Sequence, residues 1–262
     1  MLKTLLARAH QKYRTIGFPK RPPVLPDRLR GQPEIDAAKC PKGCRLCADA
    51  CPTDAIIANG KGVRLDLGRC LFCPECERIC PEGTIRFTTD YRLAASRRDA
   101  LILGEKEFQL AKALDEKSRK LFGRSLKLRQ VSAGGCNGCE ADVNVLTTVV
   151  FDLGRFGIQF VASPRHADGL LVTGPVTWNM EQALRKAYEA VPSPKLVIAV
   201  GACAISGGPY IGHAEQRNGA DGVVPVDLYI PGCPPHPVTI LDGLLRLLGR
   251  MDSTCRVSPI LR

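Results

Sequence analysis

The sequence predicts an α/β protein in two parts. The first is a small N-terminal α+β domain built around clustered cysteines. The second is a C-terminal domain with a mostly parallel sheet and helices on both faces. Two observations lead to this prediction. Residues 40–80 contain eight cysteines in two similar runs. From about residue 126, apolar β-rich runs alternate with helical patterns, as is typical of a parallel sheet covered by helices.

Composition indicates metal or redox chemistry. Thirteen cysteines occur in 262 residues, and the N-terminus lacks the sustained apolar region and cleavage site of a secretory signal. We also expect no membrane-spanning segment. Residues 1–130 hold 27 Lys and Arg against 15 Asp and Glu (+12), whereas the remainder holds 10 against 11 (−1). This basic excess is not interleaved with stacking aromatics, so we expect no nucleic-acid partner and assign part of it to balancing anionic cofactors.

Residues 1–32 predict an amphipathic helix followed by a proline-rich arm. Leu2, Leu5, Leu6, Ala9 and Tyr13 share one face of a helix over residues 2–13, and basic residues lie elsewhere on it. Such a helix could lie on an anionic membrane surface or dock on protein. The prolines of residues 19–33 predict an extended arm along a neighbouring surface, or a solvated linker.

The cysteine runs form an internal repeat. They are Cys40-x3-Cys44-x2-Cys47-x3-Cys51-Pro52 and Cys70-x2-Cys73-x2-Cys76-x3-Cys80-Pro81, and the last three cysteines of each run are offset by 29 residues. A repeat implies two related halves. In two-cluster iron–sulfur proteins the fourth cysteine of a run ligates the other cluster. We therefore assign Cys40, Cys44, Cys47 and Cys80 to one 4Fe–4S cluster, and Cys51, Cys70, Cys73 and Cys76 to a second.

Zinc is the alternative for these cysteines. Zinc sites usually use pairs of cysteines separated by a dozen or more residues, and four cysteines within 12 positions are too dense for that pattern. One departure concerns the first run, which has three residues between Cys40 and Cys44 where two are usual. Gly43 could absorb the additional residue as a bulge.

This N-terminal half resembles the small two-cluster ferredoxin-like subunits of complex I and of formate-hydrogenlyase-type hydrogenases. The resemblance covers about residues 28–100, including Arg30-Gly31-Gln32-Pro33, the cysteine runs and Thr88-Thr89-Asp90-Tyr91. It implies a ferredoxin-like domain over 33–95 that relays single electrons. Residues 96–125 are predicted to be a helical linker starting near Gly104, with Leu110, Ala113, Leu114 and Leu121 as its apolar positions.

Residues 126–262 predict the parallel sheet. Strands are expected at Leu126–Val131, Ile158–Val161, Gly169–Val172, Leu196–Val200 and Val226–Ile230, and helices at Glu140–Leu153, Met180–Ala190 and Pro237–Leu248. Cys136, Cys203 and Cys233 each follow a predicted strand. Because the carboxyl ends of parallel strands share one edge, these thiols and Cys139 should converge there. Four thiolates are the usual ligand set of a 4Fe–4S cluster, so we predict a third; buried core cysteines are the alternative.

This half resembles the small subunit of membrane-bound, energy-converting NiFe hydrogenases and the equivalent complex I subunit. The shared motifs are Gly134-Gly-Cys-Asn-Gly-Cys-Glu140, Ser163-Pro-Arg-His-Ala-Asp168, Thr173-Gly-Pro175, Gly201-Ala-Cys-Ala-Ile-Ser-Gly-Gly208 and Tyr229-Ile-Pro-Gly-Cys-Pro-Pro235. The resemblance implies a flavodoxin-like sheet and a third cluster on Cys136, Cys139, Cys203 and Cys233. Arg165 and His166 are expected either to contact a large subunit or to form an ordinary polar turn.

Two details of this half carry further expectations. In complex I the first two ligands are adjacent, whereas Asn137 and Gly138 separate them here, which favours the hydrogenase. Glu140 is either part of a proton path or an acid stabilised by the helix dipole. We expect Cys255 to be a free thiol without a role.

Together these features predict an electron-transfer subunit with three 4Fe–4S clusters and no catalytic centre of its own, peripheral on the cytoplasmic side of the inner membrane. Its expected partners are a NiFe large subunit, membrane subunits, and a donor such as formate dehydrogenase or ferredoxin. One alternative is the equivalent subunit of a complex I-like NADH or ferredoxin:quinone oxidoreductase without nickel. The other is an iron–sulfur sensor or scaffold without turnover.

Overall fold

The computed structural model describes residues 2–59, 62–104 and 108–251. Helix α1 (Leu2–Gln11) comes first and buries none of its residues. The arm that follows lies against the C-terminal half. Ile16 N donates to the Val150 carbonyl at 2.9 Å, and Phe18 is buried with its ring edge-to-face on Tyr91. The arm is therefore fixed to the body of the protein, whereas α1 is not.

The cysteine-rich part contains two short helices and two small sheets. Its elements are β1 (Pro33–Ile35), α2 (Leu46–Asp49), β2 (Ile56–Asn59), β3 (Gly62–Asp66), α3 (Glu75–Ile79), β4 (Ile85–Phe87) and β5 (Ile102–Leu103). Strand β1 pairs antiparallel with β4, and β2, β3 and β5 form a second antiparallel sheet. Helices α2 and α3 start 29 residues apart, as do β2 and β4, so the repeat in the sequence is also a repeat in the structure.

The segment predicted to be a helical linker differs from that prediction. It contributes β5 to the sheet of β3, and it becomes helical only at α4 (Glu116–Phe122). Asp115 caps α4 by accepting a hydrogen bond from Ser118 N at 3.1 Å. Before α4 the chain is held by backbone hydrogen bonds, from Ala111 N to the Ala94 carbonyl and from Leu114 N to the Leu247 carbonyl. Packing onto both halves therefore overrides the helical pattern.

The C-terminal half is a five-stranded sheet in which every pairing is parallel. Its strands are β6 (Leu126–Ser132), β7 (Ile158–Phe160), β8 (Gly169–Thr173), β9 (Leu196–Val200) and β10 (Leu228–Ile230), in the order β10-β9-β8-β6-β7. This order is that of flavodoxin-like sheets. The predicted fold class of this half is confirmed.

Helices cover both faces of the sheet. They are α5 (Gly138–Val145), α6 (Trp178–Ala190), α7 (Ala202–Ser206) and α8 (Pro237–Leu247). Alternate side chains of β8 and β9 enter different cores. Leu171 and Ile198 pack with α5 and α8, whereas Leu170 and Val197 pack with Leu184 of α6. Strands β8 and β9 are thus buried on both sides, which explains why these two strands are continuous apolar runs.

Helix α5 is shorter than the predicted Glu140–Leu153. It ends at Val145 because the hydroxyls of Thr147 and Thr148 donate to the carbonyls of Asn144 and Val145, at 2.8 and 2.7 Å. Asp152 then adopts a left-handed backbone conformation. Such local side-chain bonds compete with the helical ladder.

The two halves share a continuous interface. Ala95 and Tyr229 exchange two backbone hydrogen bonds of 3.0 and 2.9 Å, and the Ser206 hydroxyl donates to the Gly68 carbonyl at 2.8 Å. Ile205 of α7 is buried in the same apolar cluster as Leu65 of β3. Contacts of this kind fix the cysteine-rich half against the carboxyl edge of the sheet. Among the described helices, none is long and apolar enough to span a bilayer.

Candidate metal centres

The first group of thiols comprises Cys40, Cys44, Cys47 and Cys80. Cys47 lies in α2, and Cys80 directly follows α3. Burial raises the pKa of Cys40, and the charges of Cys44 and Cys80 raise it further. The pKa of Cys47 is raised by burial and then by Cys80 and Cys40. The four thiols that the sequence assigned to one cluster are thus electrostatic neighbours. Gly43, between Cys40 and Cys44, has φ +80°, a conformation that suits the additional residue of this run.

Cys80 is surrounded by hydrogen-bond donors. Burial alone would raise its pKa, but the Thr84 hydroxyl and the backbone amides of residues 82–84 outweigh burial and lower it. Thr84 N donates to the sulfur at 3.3 Å. The buried Thr84 hydroxyl lies close enough to affect the same thiol but does not reach hydrogen-bond geometry with any group of the described structure. A buried hydroxyl without an acceptor beside a thiol suits a site that receives further sulfur atoms.

The second group comprises Cys51, Cys70, Cys73 and Cys76. Burial raises the pKa of Cys70 to about 12, and the charges of Cys76, Cys51 and Cys73 add to the rise. The Phe72 amide, which donates to the Cys70 sulfur at 3.3 Å, opposes it. Burial also raises the pKa of Cys76 to about 12, followed by Cys73 and Cys51. Thiols this buried need a cation as partner before they ionise. Iron supplies that charge when a cluster is bound.

The third group comprises Cys136, Cys139, Cys203 and Cys233. Cys136 follows β6, Cys139 lies in the first turn of α5, Cys203 lies in α7 after β9, and Cys233 follows β10. Burial raises the pKa of Cys139, as do the charges of Cys203 and Cys233. The pKa of Cys203 rises to about 12 through burial and then Cys233 and Cys136. The carboxyl edge of the sheet therefore brings the predicted thiols together.

The Cys139 sulfur lies close to the backbone of Gly201, two residues before Cys203. Gly201 has φ +90°, and a Cβ atom there would overlap the Cys139 sulfur. Only glycine combines this conformation with this space. At the start of α5, Asn137 takes a left-handed conformation, φ 70°, and this turn separates Cys136 from Cys139.

The thiol groups lie in series. The charge of Cys47, from the first group, contributes to the raised pKa of Cys76 in the second. The charge of Cys73, from the second group, contributes to the raised pKa of Cys233 in the third. The second group is therefore next to both of the others.

Among the described residues, no three His, Cys, Asp or Glu side chains converge as the ligands of one metal ion would. In a 4Fe–4S cube each thiolate binds a different iron atom. Backbone amides donate to the sulfurs of Cys51, Cys70 and Cys80 at 3.3 Å, an arrangement common around cluster ligands.

Glu140 is buried at the edge of the third group, with 6% of its surface exposed. Its Oε1 atom accepts hydrogen bonds from the hydroxyls of Ser132 and Thr173, at 2.6 and 2.7 Å. These contacts tie α5 to the ends of β6 and β8. The proton path remains a prediction. Arg165 and His166 lie exposed on a short turn after β7, and their contact with a large subunit also remains a prediction. Cys255 lies outside the described residues.

Sequence reasoning missed a role for Arg30. Its Nε atom donates to the Phe72 carbonyl, between Cys70 and Cys73, at 2.5 Å. Arg30 also lines a cavity of about 230 Å³ together with Cys233 and His236. A guanidinium thus lies between the second and third groups. The motif around residue 30 suggested only a resemblance. No spacing rule could place Arg30 beside Cys70 and Cys233, because these cysteines are 40 and 203 positions away.

The third group of thiols lies in a segment that matches a known protein family. Residues 136–247, which include all four thiols of the third group, match the family described as NADH ubiquinone oxidoreductase, 20 Kd subunit. An NADH-quinone oxidoreductase subunit from Heliobacterium modesticaldum is 40% identical over 126 residues, covering 48% of this chain and 72% of that protein. The chain belongs to the NADH ubiquinone oxidoreductase 20 Kd subunit family.

Hydrogenase subunits are also among the relatives of this family member. A probable membrane-bound hydrogenase subunit of Pyrococcus furiosus is 42% identical over 132 residues, covering 50% of this chain and 79% of that protein. Formate hydrogenlyase subunit 7 of Escherichia coli is 45% identical over 133 residues, covering 51% of this chain and 52% of that protein. The family belongs to oxidoreductase complexes, and its members bind a 4Fe–4S cluster.

Proposed function

We propose that this chain is the electron-transfer subunit of a membrane-associated NiFe hydrogenase complex of the formate hydrogenlyase or energy-converting type. Three 4Fe–4S clusters would each supply one-electron redox chemistry when bound, relaying electrons between a donor and a separate NiFe large subunit. Cys40, Cys44, Cys47 and Cys80 hold the first, Cys51, Cys70, Cys73 and Cys76 the second, and Cys136, Cys139, Cys203 and Cys233 the third.

The serial order of the thiol groups carries this proposal. Cys47 of the first group and Cys76 of the second are buried in one apolar cluster, and Leu71 and Phe72, between two thiols of the second group, line the same cavity as Cys233 of the third. A sensor or scaffold needs no such series. A relay does, because each electron must reach the next site without release to solvent. The chain's own residues contribute burial, amide donors and the fixed interface between the halves.

Two of the third-group thiols, Cys136 and Cys233, are exposed. That end of the series would face the large subunit, and the cysteine-rich half would face the donor, a formate dehydrogenase partner or ferredoxin. Nickel chemistry would belong to the large subunit, because twelve of the thirteen cysteines here are assigned to clusters. We place the complex with its membrane subunits on the cytoplasmic side of the inner membrane, and this chain at its periphery.

A complex I-like assembly without nickel is the second candidate, favoured by the relative from Heliobacterium modesticaldum that is named for NADH-quinone oxidoreductase. The two-residue spacing between Cys136 and Cys139 favours the hydrogenase instead. Metal analysis of the native assembly decides between them. We expect about twelve irons per copy of this chain from three cubes, with nickel in the large subunit. An assembly with this iron content but no nickel, and with quinone reductase activity, would establish the second candidate.

A further inference from the structure

The first turns of the chain form an exposed surface that is both apolar and basic. Helix α1 buries none of its residues, and Leu2, Leu5 and Leu6, which share one face, are 72%, 65% and 61% exposed. Tyr13, just beyond the helix, is 85% exposed. Burial of these side chains in an apolar environment would be favourable, and no part of the described chain provides it.

The charge of this segment has one sign. Residues 1–26 contain six basic residues (Lys3, Arg8, Lys12, Arg14, Lys20, Arg21) and no Asp or Glu. A segment that combines leucines on one helical face with an unbroken set of cations matches an anionic bilayer surface, where apolar side chains enter the acyl boundary and cations meet the phosphates. A protein groove would have to supply acidic groups to this whole segment.

The body of the protein extends this surface. The Thr15 hydroxyl donates to the Val149 carbonyl at 2.7 Å, and Arg155 donates to the carbonyls of Ile16 and Phe18 at 3.0 and 2.8 Å. These bonds fix the base of α1 beside the turn after α5, where Val149 is 66% exposed. Since Tyr13 is only two residues from this tether, the helix leaves the body next to a second exposed apolar site.

We propose that α1, Tyr13 and the turn at Val149 and Val150 form a docking surface for anionic phospholipid. A helix of ten residues is about 15 Å long, half the thickness of the hydrocarbon core, so it lies in the interface and does not cross it. The surface orients the subunit on the membrane. This inference deepens the peripheral location given in the proposed function and rests on it.

Sedimentation with vesicles tests the inference on the purified full chain carrying its iron. We expect it to pellet with vesicles containing phosphatidylglycerol and to remain in solution with phosphatidylcholine alone. The double variant Leu5→Glu, Leu6→Glu should bind at least tenfold more weakly. The matched control Leu121→Glu, at an exposed leucine of α4 far along the chain, should bind as the parent does.

Iron content and dithionite reduction are measured on the same samples. Loss of vesicle binding with iron unchanged supports the surface and leaves the proposed function intact. Equal binding by parent and double variant would overturn the surface, as would absence of any binding to anionic vesicles. Co-purification with the other subunits of the complex is compared for the parent and the double variant; if the double variant loses only this assembly and still binds vesicles, α1 binds protein and the inference is wrong.

Discussion

At the scale of single residues, the positions of the thiols depend on the space around them, and their electrostatics depend on nearby hydrogen-bond donors. Gly201 lets the Cys139 sulfur approach the backbone, and Thr84 presents a buried hydroxyl near Cys80. Neither residue would be a ligand. A substitution at either residue should nevertheless change one property of a cluster and leave the fold intact.

Gly201→Ala should remove the third cluster selectively. Its Cβ would overlap the Cys139 sulfur, so one ligand must move. We expect iron to fall from about twelve to about eight per chain, measured chemically on the purified protein. Gly212→Ala is the matched control, because Gly212 also has positive φ, +76°, but has open space around it. Full iron in Gly201→Ala would mean that the Cys139 sulfur is not confined in this way.

Thr84→Val should lower the reduction potential of the first cluster. A hydroxyl that donates to sulfur stabilises the more negative, reduced state, and valine keeps the shape without the donor. One hydrogen bond of about 0.5–1.5 kcal/mol corresponds to about 20–60 mV for a one-electron couple. An EPR-monitored redox titration measures it. Thr84→Ser should retain the potential, and Thr147→Val, whose hydroxyl bonds Asn144, should not alter it. An unchanged potential in Thr84→Val would show that the hydroxyl faces no sulfur.

Residue types and spacing led to the predicted thiol groups, because eight cysteines recur in two similar runs and three others follow predicted strands; their roles as cluster ligands stay a prediction. Thr84 and Arg30 could not be found in this way. A threonine after Cys80 is an ordinary turn residue, and Arg30 reaches the second group only through the tertiary fold. Glu140 was singled out, but its binding to Ser132 and Thr173 required the sheet register.

At the scale of elements, each of the eleven residues of α8 is buried. It also contains an ion pair. Arg246 donates to Asp242 at 2.7 Å, and burial raises the pKa of Asp242 while Arg246 opposes that rise. Two charges of the cysteine-rich half also act on this carboxyl: Arg92 lowers the pKa of Asp242, and Asp90 raises it. The pair lies where α8 meets the cysteine-rich half.

Arg246→Met should destabilise the protein by about 3–5 kcal/mol, since it leaves a buried carboxylate uncompensated. Thermal unfolding should occur roughly 10 °C lower. The deficit should shrink as pH falls towards about 4, because Asp242 keeps its proton in the fold at higher pH than in the unfolded chain, and a protonated carboxyl needs no partner.

Two controls define this result. Arg97→Met breaks the exposed pair with Asp99 and should leave the unfolding temperature unchanged. The double variant Asp242→Leu, Arg246→Met removes both charges and should recover most of the lost stability. A deficit that stays constant across pH would show that the carboxylate is not the cause.

The elements were predicted best where one pattern dominated. The strands of the parallel sheet lie within two residues of their predicted limits, and the agreement is best for β9, whose continuous apolar run is buried on both faces. The prediction of a helical linker was wrong where β5 pairs with β3, since a two-residue strand leaves no periodic signal. The end of α5 depended on threonine hydroxyls that apolar periodicity does not detect.

At the scale of the whole molecule, the important feature is how the halves meet. Their interface at Ala95 with Tyr229 and at Gly68 with Ser206 brings the second thiol group next to the third. No periodicity predicts which surfaces of two domains touch. The series of three groups is therefore a result of the fold, whereas the groups themselves could be predicted from the sequence.

Coulometric titration of the purified chain tests the three-cluster relay most directly. Because each 4Fe–4S cluster takes up one electron, full reduction of the chain should consume about three electrons, with three distinguishable EPR signals. Gly201→Ala should consume about two by the same count. A parent protein that accepts only two electrons would contradict three clusters in series.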